Sequence, residues 1–298
     1  MPHRSGCQFM QGFRFCEFSF QLLTVNCELL TLNESQLRTI PGGQMISLAG
    51  KAALVTGGSR GIGAATVKLF AQAGADVVFN FHRSKEAAVQ VEQEARKHGT
   101  RIESLKADLG KMADAKKLVN FTRERLGRID ILVANAGIWN EHDSPIEKMT
   151  EREWDEMVQV NLKSVYSVIH FAAPHMIAQK SGKIVAISST AGQRGEAFHT
   201  HYGATKGAII SFVKGLASEL GRHNILVNCV APGWVDTDMS ASVLRTKNGL
   251  KAAILPIALK RVGTAEEIAG PILFAASDLA TFITGEVINV NGGSVLCG

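Results

Sequence analysis

The sequence predicts an α/β protein built on a doubly wound parallel sheet with helices on both faces, and three observations carry that prediction. Apolar runs of strand length alternate with helix-like stretches and recur about every 25–30 residues, the length of one strand–helix step. A glycine-rich turn, Thr56-Gly57-Gly58-Ser59-Arg60-Gly61-Ile62-Gly63, follows the first run and opens the first helix. The chain has 298 residues, 46% of them hydrophobic, which is enough for one substantial core. No internal repeat, low-complexity tract or long linker interrupts it.

Taken in order, residues 53–57, Ala-Leu-Val-Thr-Gly, form the first strand, and residues 61–70 continue as a helix with Ile62, Ala65, Val67 and Leu69 at helical spacing. Strand, turn and helix in that order bring backbone N–H groups and a helix N-terminus to one point, where a pyrophosphate can bind. The spacing is Gly-x-x-x-Gly-x-Gly, and Thr66 takes the last position of the commoner Gly-x-Gly-x-x-Gly pattern. By itself, then, the turn is equally an ordinary tight turn. Residues 76–80, 129–134, 183–187, 226–230 and 287–291 supply further parallel strands. Helix-like runs cover 151–180 and 202–222, and the stretch around 237–260, the expected lid, has the least recognisable pattern.

Just past the strand at 183–187 comes Ser189, and Tyr202 stands four residues before Lys206 at the start of a helix-like run. Residues at i and i+4 share a helix face, so the Lys206 ammonium can sit beside the Tyr202 phenol and favour its ionised form. A free phenol titrates near ~10 and is a poor base at neutral pH without such a neighbour. Ser189 can donate a hydrogen bond to a substrate oxygen on which charge develops, while Tyr202 gives or takes the proton. Without the upstream glycine turn, a Tyr-x-x-x-Lys pair is more simply an exposed helix pair. With it, the parts needed to move a hydride and a proton are present.

Over residues 49–294 the ordered set of segments resembles the short-chain dehydrogenase/reductase family. The matching residues are the Thr56-Gly57-x-x-x-Gly61-x-Gly63 turn, Asp108 after the third strand and Asn135-Ala136-Gly137 after the fourth. They continue with Asn161 in Asn-x-x-Ser, Ser189, Tyr202-x-x-x-Lys206 and Pro232-Gly233. Ala134 is a mild departure, since the family usually has a first asparagine in Asn-Asn-Ala-Gly. The resemblance implies a Rossmann-type domain over residues 49–298 that holds cofactor and substrate sites together. It implies a catalytic set of Asn161, Ser189, Tyr202 and Lys206. In that set Tyr202 is the general acid for reduction and Ser189 holds the carbonyl. Lys206 binds the nicotinamide ribose and lowers the tyrosine's pKa, and Asn161 holds a water that relays protons to the lysine. The cofactor is expected against Gly57, Ser59, Arg60, Gly61, Ile62 and Gly63, against Asp108 and Leu109, and against Asn135, Ala136 and Gly137. Tyr202, Lys206, Pro232, Gly233, Val235 and Thr237 complete the implied cofactor contacts.

The end of the second strand bears on cofactor choice. An acid about 20 positions after the glycine turn would accept hydrogen bonds from a ribose 2′-hydroxyl and repel a 2′-phosphate. Here that position is Phe81, followed by His82, Arg83 and Ser84, with Arg60 approaching from the turn; Asp76 lies at the wrong end of the strand. Fixed guanidinium groups near a dianion predict NADP(H). Within the family the look is closest to the 3-oxoacyl-[acyl-carrier-protein] reductases, through residues 59–63, 224–233 and 283–293, which build fold and cofactor site. The expected reaction interconverts a ketone and a secondary alcohol. A 3-oxoacyl thioester is one small-molecule substrate class, and a sugar, steroid or other small carbonyl compound is the alternative. Ser218 stands where carrier-protein reductases often place an arginine, which counts against acyl carrier protein as a partner, although Lys180 can serve at the neighbouring site. A non-catalytic nucleotide-binding scaffold is the reading from another class, and the intact Ser189, Tyr202 and Lys206 argue against it. The runs 151–180 and 202–222 and the last strand are implied to pair subunits into a homotetramer.

Composition narrows the setting. Five cysteines without Cys-x-x-Cys spacing fit reduced thiols in a cytoplasmic protein and give no metal site. His199 and His201 flank Tyr202 and read as exposed loop residues before pocket residues. No run approaches the ~18 apolar residues of a membrane span. The net charge of +5 is spread out, and Lys116-Lys117 and Arg123 to Arg128, interleaved with Glu124, form a solvated face rather than a nucleic-acid patch. Residues 1–48 lie outside the resemblance and mix arginine, glutamate and phenylalanine without a period, fitting neither a secretory nor a mitochondrial leader. They are expected to be a disordered extension or the product of a wrongly assigned start upstream of Met45, the alternative being an appendage that packs on the core or a partner.

Overall fold

Strands rich in alanine, valine, leucine and isoleucine are buried on both faces, and the sheet they form is parallel throughout, as such runs require. The structure is a computed structural model that describes residues 46–297, so the expectation for the N-terminal extension lies outside the described residues up to residue 45. The strands are β1 (Ala52–Val55), β2 (Asp76–Phe81), β3 (Ile102–Lys106), β4 (Ile131–Ala134), β5 (Gly182–Ile187), β6 (Ile225–Pro232) and β7 (Val287–Val290). Their order in the sheet is β3-β2-β1-β4-β5-β6-β7.

The chain runs outward from β1 to β3 and then crosses back to β4, so β1 pairs with both β2 (Leu54 opposite Val78) and β4 (Leu54 opposite Leu132). Loops leaving the carboxyl ends of β1 and β4 part at this reversal and open a crevice. Side chains alternate across the sheet: Ala53 and Val55 of β1 enter one core, Ala52 and Leu54 the other. The first core is closed by α1 (Gly61–Gln72), α2 (Lys85–Ala95) and α10 (Ala265–Ala276). The second is closed by α3 (Met112–Leu126), α5 (Ser164–Gln179) and α7 (Thr200–Leu220). Shorter helices line the loop end: α4 (Glu151–Met157), α6 (Thr190–Arg194), α8 (Ala241–Leu244) and α9 (Lys247–Ile254).

Several elements differ from the sequence expectation for identifiable reasons. β1 stops at Val55 because the chain then turns: Gly57 donates its N–H to the side chain of Asn80 at 2.9 Å rather than to a strand. β4 starts at Ile131, since the Asp130 side chain is used to accept the N–H of Ala52 at 2.9 Å. β3 has no apolar run because it is an edge strand, with Glu103 and Ser104 half-buried and Lys106 exposed. The run at 151–180 is not one helix; a π-helical turn, Val158–Lys163, separates α4 from α5 and contains Asn161. The stretch around 237–260 folds as a 3₁₀ turn, Asp238–Ser240, followed by α8 and α9. Among the described residues no helix is long and apolar enough to cross a membrane.

Candidate active site

The glycine turn is closed as tightly as a backbone permits. A Cβ on Gly63 would lie 2.1 Å from the Gly57 carbonyl oxygen, so only glycine lets α1 begin so close to the end of β1. The turn is tied to both neighbouring strands. The Thr56 hydroxyl accepts the N–H groups of Asn135 and Ala136 at 2.9 Å each, and the Asn135 amide donates back to the Thr56 carbonyl at 2.9 Å. Asn80, which sequence reasoning missed, accepts from Gly57 and donates to the Ala107 carbonyl at 3.0 Å, locking the ends of β2 and β3 to the turn. Its only signal is a polar residue buried at a strand end.

A cleft of about 450 Å³ opens over this turn. Gly57, Ser59, Arg60, Gly61, Ile62 and Gly63 line it, as do His82, Arg83, Ser84, Asp108, Leu109, Asn135, Ala136, Gly137 and Thr237. Phe81 is buried, while Arg60, His82 and Arg83 are exposed at the rim. The Ser84 hydroxyl does not cap α2, so that helix start and its hydroxyl face the cleft without an internal capping bond. Arg60 meets Asp238 across 4.0 Å, a weak pair between exposed groups. Size and backbone donors fit a dinucleotide, with cations at the rim.

A second cavity of about 140 Å³ adjoins the first, sharing Ile62, Asn135, Gly137 and Thr237 as walls. Ser189, Tyr202, Lys206, Pro232, Gly233 and Val235 line it. Ser189 caps α6, accepting the Ala191 N–H at 3.1 Å, and Tyr202 and Lys206 lie on the first turns of α7. Burial pushes the Tyr202 phenol up to about 12, against a hydrogen bond from Ser189 that pulls it down and the nearby Glu196 carboxylate that raises it further. The expected depression by Lys206 is therefore not met here. The ammonium lies 5.8 Å from the ring centroid and donates to the Ile187 carbonyl at 2.9 Å, and burial pushes it down to about 8.

Asn161 is fully buried and lines neither cavity. Its side chain brackets Ile138, accepting the N–H at 2.7 Å and donating to the carbonyl at 2.9 Å, with further contacts to Met157 and Thr205. Gly137 separates it from Lys206: a Cβ there would lie 3.0 Å from Asn161 Oδ1 and 3.5 Å from Lys206 Nζ. A side chain at 137 would crowd both groups.

The state of Lys206 gives a prediction. Its folded pKa lies below its ordinary 10.5, so the cost of burying the charge is full below about 8 and fades as pH rises to 10.5. Lys206→Met is expected to stabilise the fold at pH 7, by at most about 3 kcal/mol, while losing activity. The gap to wild type should narrow between pH 8 and 10.5, as read by denaturant unfolding; a gap that does not change with pH contradicts the assignment.

Sequence reasoning also missed the rest of the second cavity. Trp139, Trp234, Arg194, Glu196 and Met239 share its wall. Trp139 stacks on His199 at 4.7 Å and meets Trp234 edge-on at 6.0 Å. His199 and His201 are buried, contrary to the exposed-loop expectation, because Asn140 engages both: its carbonyl lies 3.0 Å from His199 Nε2 and its amide 3.2 Å from His201 Nε2.

A family model described as enoyl-(acyl carrier protein) reductase matches residues 57–294. The chain is 42% identical over 250 residues to the 3-oxoacyl-[acyl-carrier-protein] reductase FabG of Chlamydia muridarum (strain MoPn / Nigg), covering 83% of this chain and 98% of that protein. It is 39% identical over 249 residues to the enzyme of the same name from Thermotoga maritima, covering 84% and 99%. Among solved structures, a short chain dehydrogenase from Burkholderia cenocepacia J2315 in complex with NADP superposes with a TM-score of 0.77 at 34% identity, covering 83% of this chain and 98% of that one.

Proposed function

The chain belongs to the short-chain dehydrogenase/reductase family, and from that premise we propose that it reduces a ketone to a secondary alcohol, or the reverse, with NADP(H). It is an oxidoreductase with a nicotinamide site. One observation carries the proposal: the Ser189 hydroxyl, the Tyr202 phenol and the Lys206 ammonium converge on a cavity that shares a wall with the glycine-turn cleft.

When bound, the nicotinamide supplies or accepts the hydride. The protein does the rest. Tyr202, held protonated at neutral pH by its burial, gives its proton to the oxygen that becomes the alcohol, and Ser189 donates a second hydrogen bond to the same oxygen. Lys206 would hold the nicotinamide ribose and return a proton to the phenol, while Asn161 keeps the neighbouring loop in register by fixing Ile138. Trp139, Trp234 and Met239 narrow the cavity and limit water. For the 2′-phosphate of NADP(H), Arg60, His82, Arg83 and Ser84 are the contacts.

A 3-oxoacyl thioester is the first substrate to try, given the enzymes it resembles. Ser218 in α7 is bonded back to the Lys214 carbonyl at 3.3 Å and offers no charge to an acidic carrier, which supports a thioester or free ketone over a carrier-bound one. Following NADPH loss at 340 nm against ketones, sugars and an acetoacetyl thioester tests the proposal. Saturable oxidation with at least one ketone is expected, and none across the panel would refute it. A cytoplasmic setting belongs to the same proposal, with Cys229 held in the core as a free thiol.

A homotetramer is also proposed, supported by exposed apolar side chains such as Tyr166 on α5 and Phe282 before β7. Sedimentation at micromolar concentration should give four chains per particle; a monomer contradicts it.

A further inference from the structure

The second cavity contains an acid that proton transfer does not use. Glu196 sits in the bend between α6 and α7, its side chain 19% exposed, and lines the same cavity as Tyr202. It is close enough that its charge acts on the phenol. His199 Nδ1 lies 3.8 Å from its Oε1, and Trp139 lines the same cavity. Trp139 is clamped between His199 and Trp234, which gives this part of the lining a rigid aromatic support.

An ionised carboxylate only accepts hydrogen bonds. A 3-oxoacyl chain offers carbonyl acceptors and C–H groups beside its ketone, so it would desolvate Glu196 without replacing the lost partners. Burial pushes the Glu196 carboxyl upward, and the Arg194 guanidinium opposes that shift and favours the ionised form. The missing partner is a donor. Its charge follows from the neighbours: the Arg194 guanidinium already acts on this carboxylate, so an ammonium would meet a like charge. A neutral donor meets no such opposition. Space sets the size, since about 140 Å³ corresponds to roughly ten atoms of water-oxygen size if each needs ~10–15 Å³.

We propose that Glu196 is a specificity-determining residue that selects a short ketone bearing a hydroxyl group on a carbon next to the carbonyl, the hydroxyl donating to Glu196 while the ketone oxygen rests on Ser189 and Tyr202. This rests on the ketone-reductase reading above. Position supports it: phenol and carboxylate line the same small cavity, and the carboxylate's charge acts on the phenol.

The test compares 1-hydroxybutan-2-one with its capped ether 1-methoxybutan-2-one and with 1-(dimethylamino)butan-2-one, using full-length protein and NADPH. The hydroxyl should raise kcat/KM over the ether by roughly 10–100-fold, the range for a hydrogen bond to a charged acceptor. Glu196→Ala should collapse that ratio toward one, and Glu196→Gln, whose amide oxygen still accepts, should restore part of it. The ratio is read within one protein, so a loss of fold or of general activity does not move it. A wild-type ratio near one, a ratio unchanged in Glu196→Ala, or a preference for the amine overturns the proposal while leaving ketone reduction standing. No turnover of any of the three, nor of the wider ketone panel, removes the reductase reading and this proposal together.

Discussion

Replacing Tyr202 with phenylalanine is expected to abolish turnover, lowering kcat by ~10²–10⁴-fold, the usual contribution of a positioned general acid. The ring and its packing on α7 remain, and Lys206 keeps its bond to the Ile187 carbonyl, so the affinity for cofactor should change little. Ser189 alone cannot replace the phenol. Its hydroxyl can stabilise a developing oxyanion, but it is anchored by the Ala191 N–H and an aliphatic hydroxyl is a far weaker acid than a phenol. In wild type, burial that pushes the phenol to about 12 keeps the proton donor loaded throughout the physiological range. Steady-state kinetics with NADPH titrated by fluorescence checks both halves. A variant retaining more than about a tenth of the wild-type rate removes Tyr202 from the role.

The second large effect concerns the cofactor. Arg60→Ala combined with Arg83→Ala is expected to lower kcat/KM for NADPH by about 10–100-fold while changing that for NADH little, because only the 2′-phosphate uses those charges. Both side chains are exposed at the cleft rim, and Arg60 gives up only a 4.0 Å pair with Asp238. Adding Phe81→Asp should then turn the preference toward NADH. That third change is the costlier one for stability, since Phe81 packs in the core beneath the end of β2 and a carboxylate there is poorly solvated. Equal kcat/KM for the two cofactors in wild type contradicts the assignment.

The parts of the fold legible in the sequence are those for which burial leaves a pattern. β1, β4 and β5 lie between two helix layers and read as short apolar runs, and the glycine turn is legible because the closeness of Gly57 and Gly63 forbids a side chain. β3 lies at an edge, so its half-polar composition leaves no such run. The π-helical turn at Asn161 has no residue signature at all; it is visible only in the backbone between α4 and α5.

At the site, the i, i+4 spacing identifies Tyr202 and Lys206 as neighbours but cannot give the sign of the phenol's shift. That sign depends on burial, which exceeds the effect of a lysine whose ammonium is 5.8 Å from the ring centroid. Glu196, Trp139 and Trp234 were not legible because they come from three separate loops, after β4, α6 and β6, and only the fold brings them to one wall. Asn80 belongs to the same class. Its two bonds join segments more than twenty residues away on either side, and nothing local marks it.

The central claim is that a carbonyl carbon is reduced on Ser189 and Tyr202, rather than a carbon–carbon double bond as the description of the matching family model would suggest. It is tested most directly by supplying NADPH deuterated at the transferred position of nicotinamide C4, together with a ketone, a 3-oxoacyl thioester or an enoyl thioester, and locating the label by NMR. Deuterium is expected on the carbinol carbon of whichever ketone or 3-oxoacyl compound is reduced, with the enoyl thioester left unreduced. Label at C3 of a saturated acyl chain, with none on any carbinol carbon, would contradict the account.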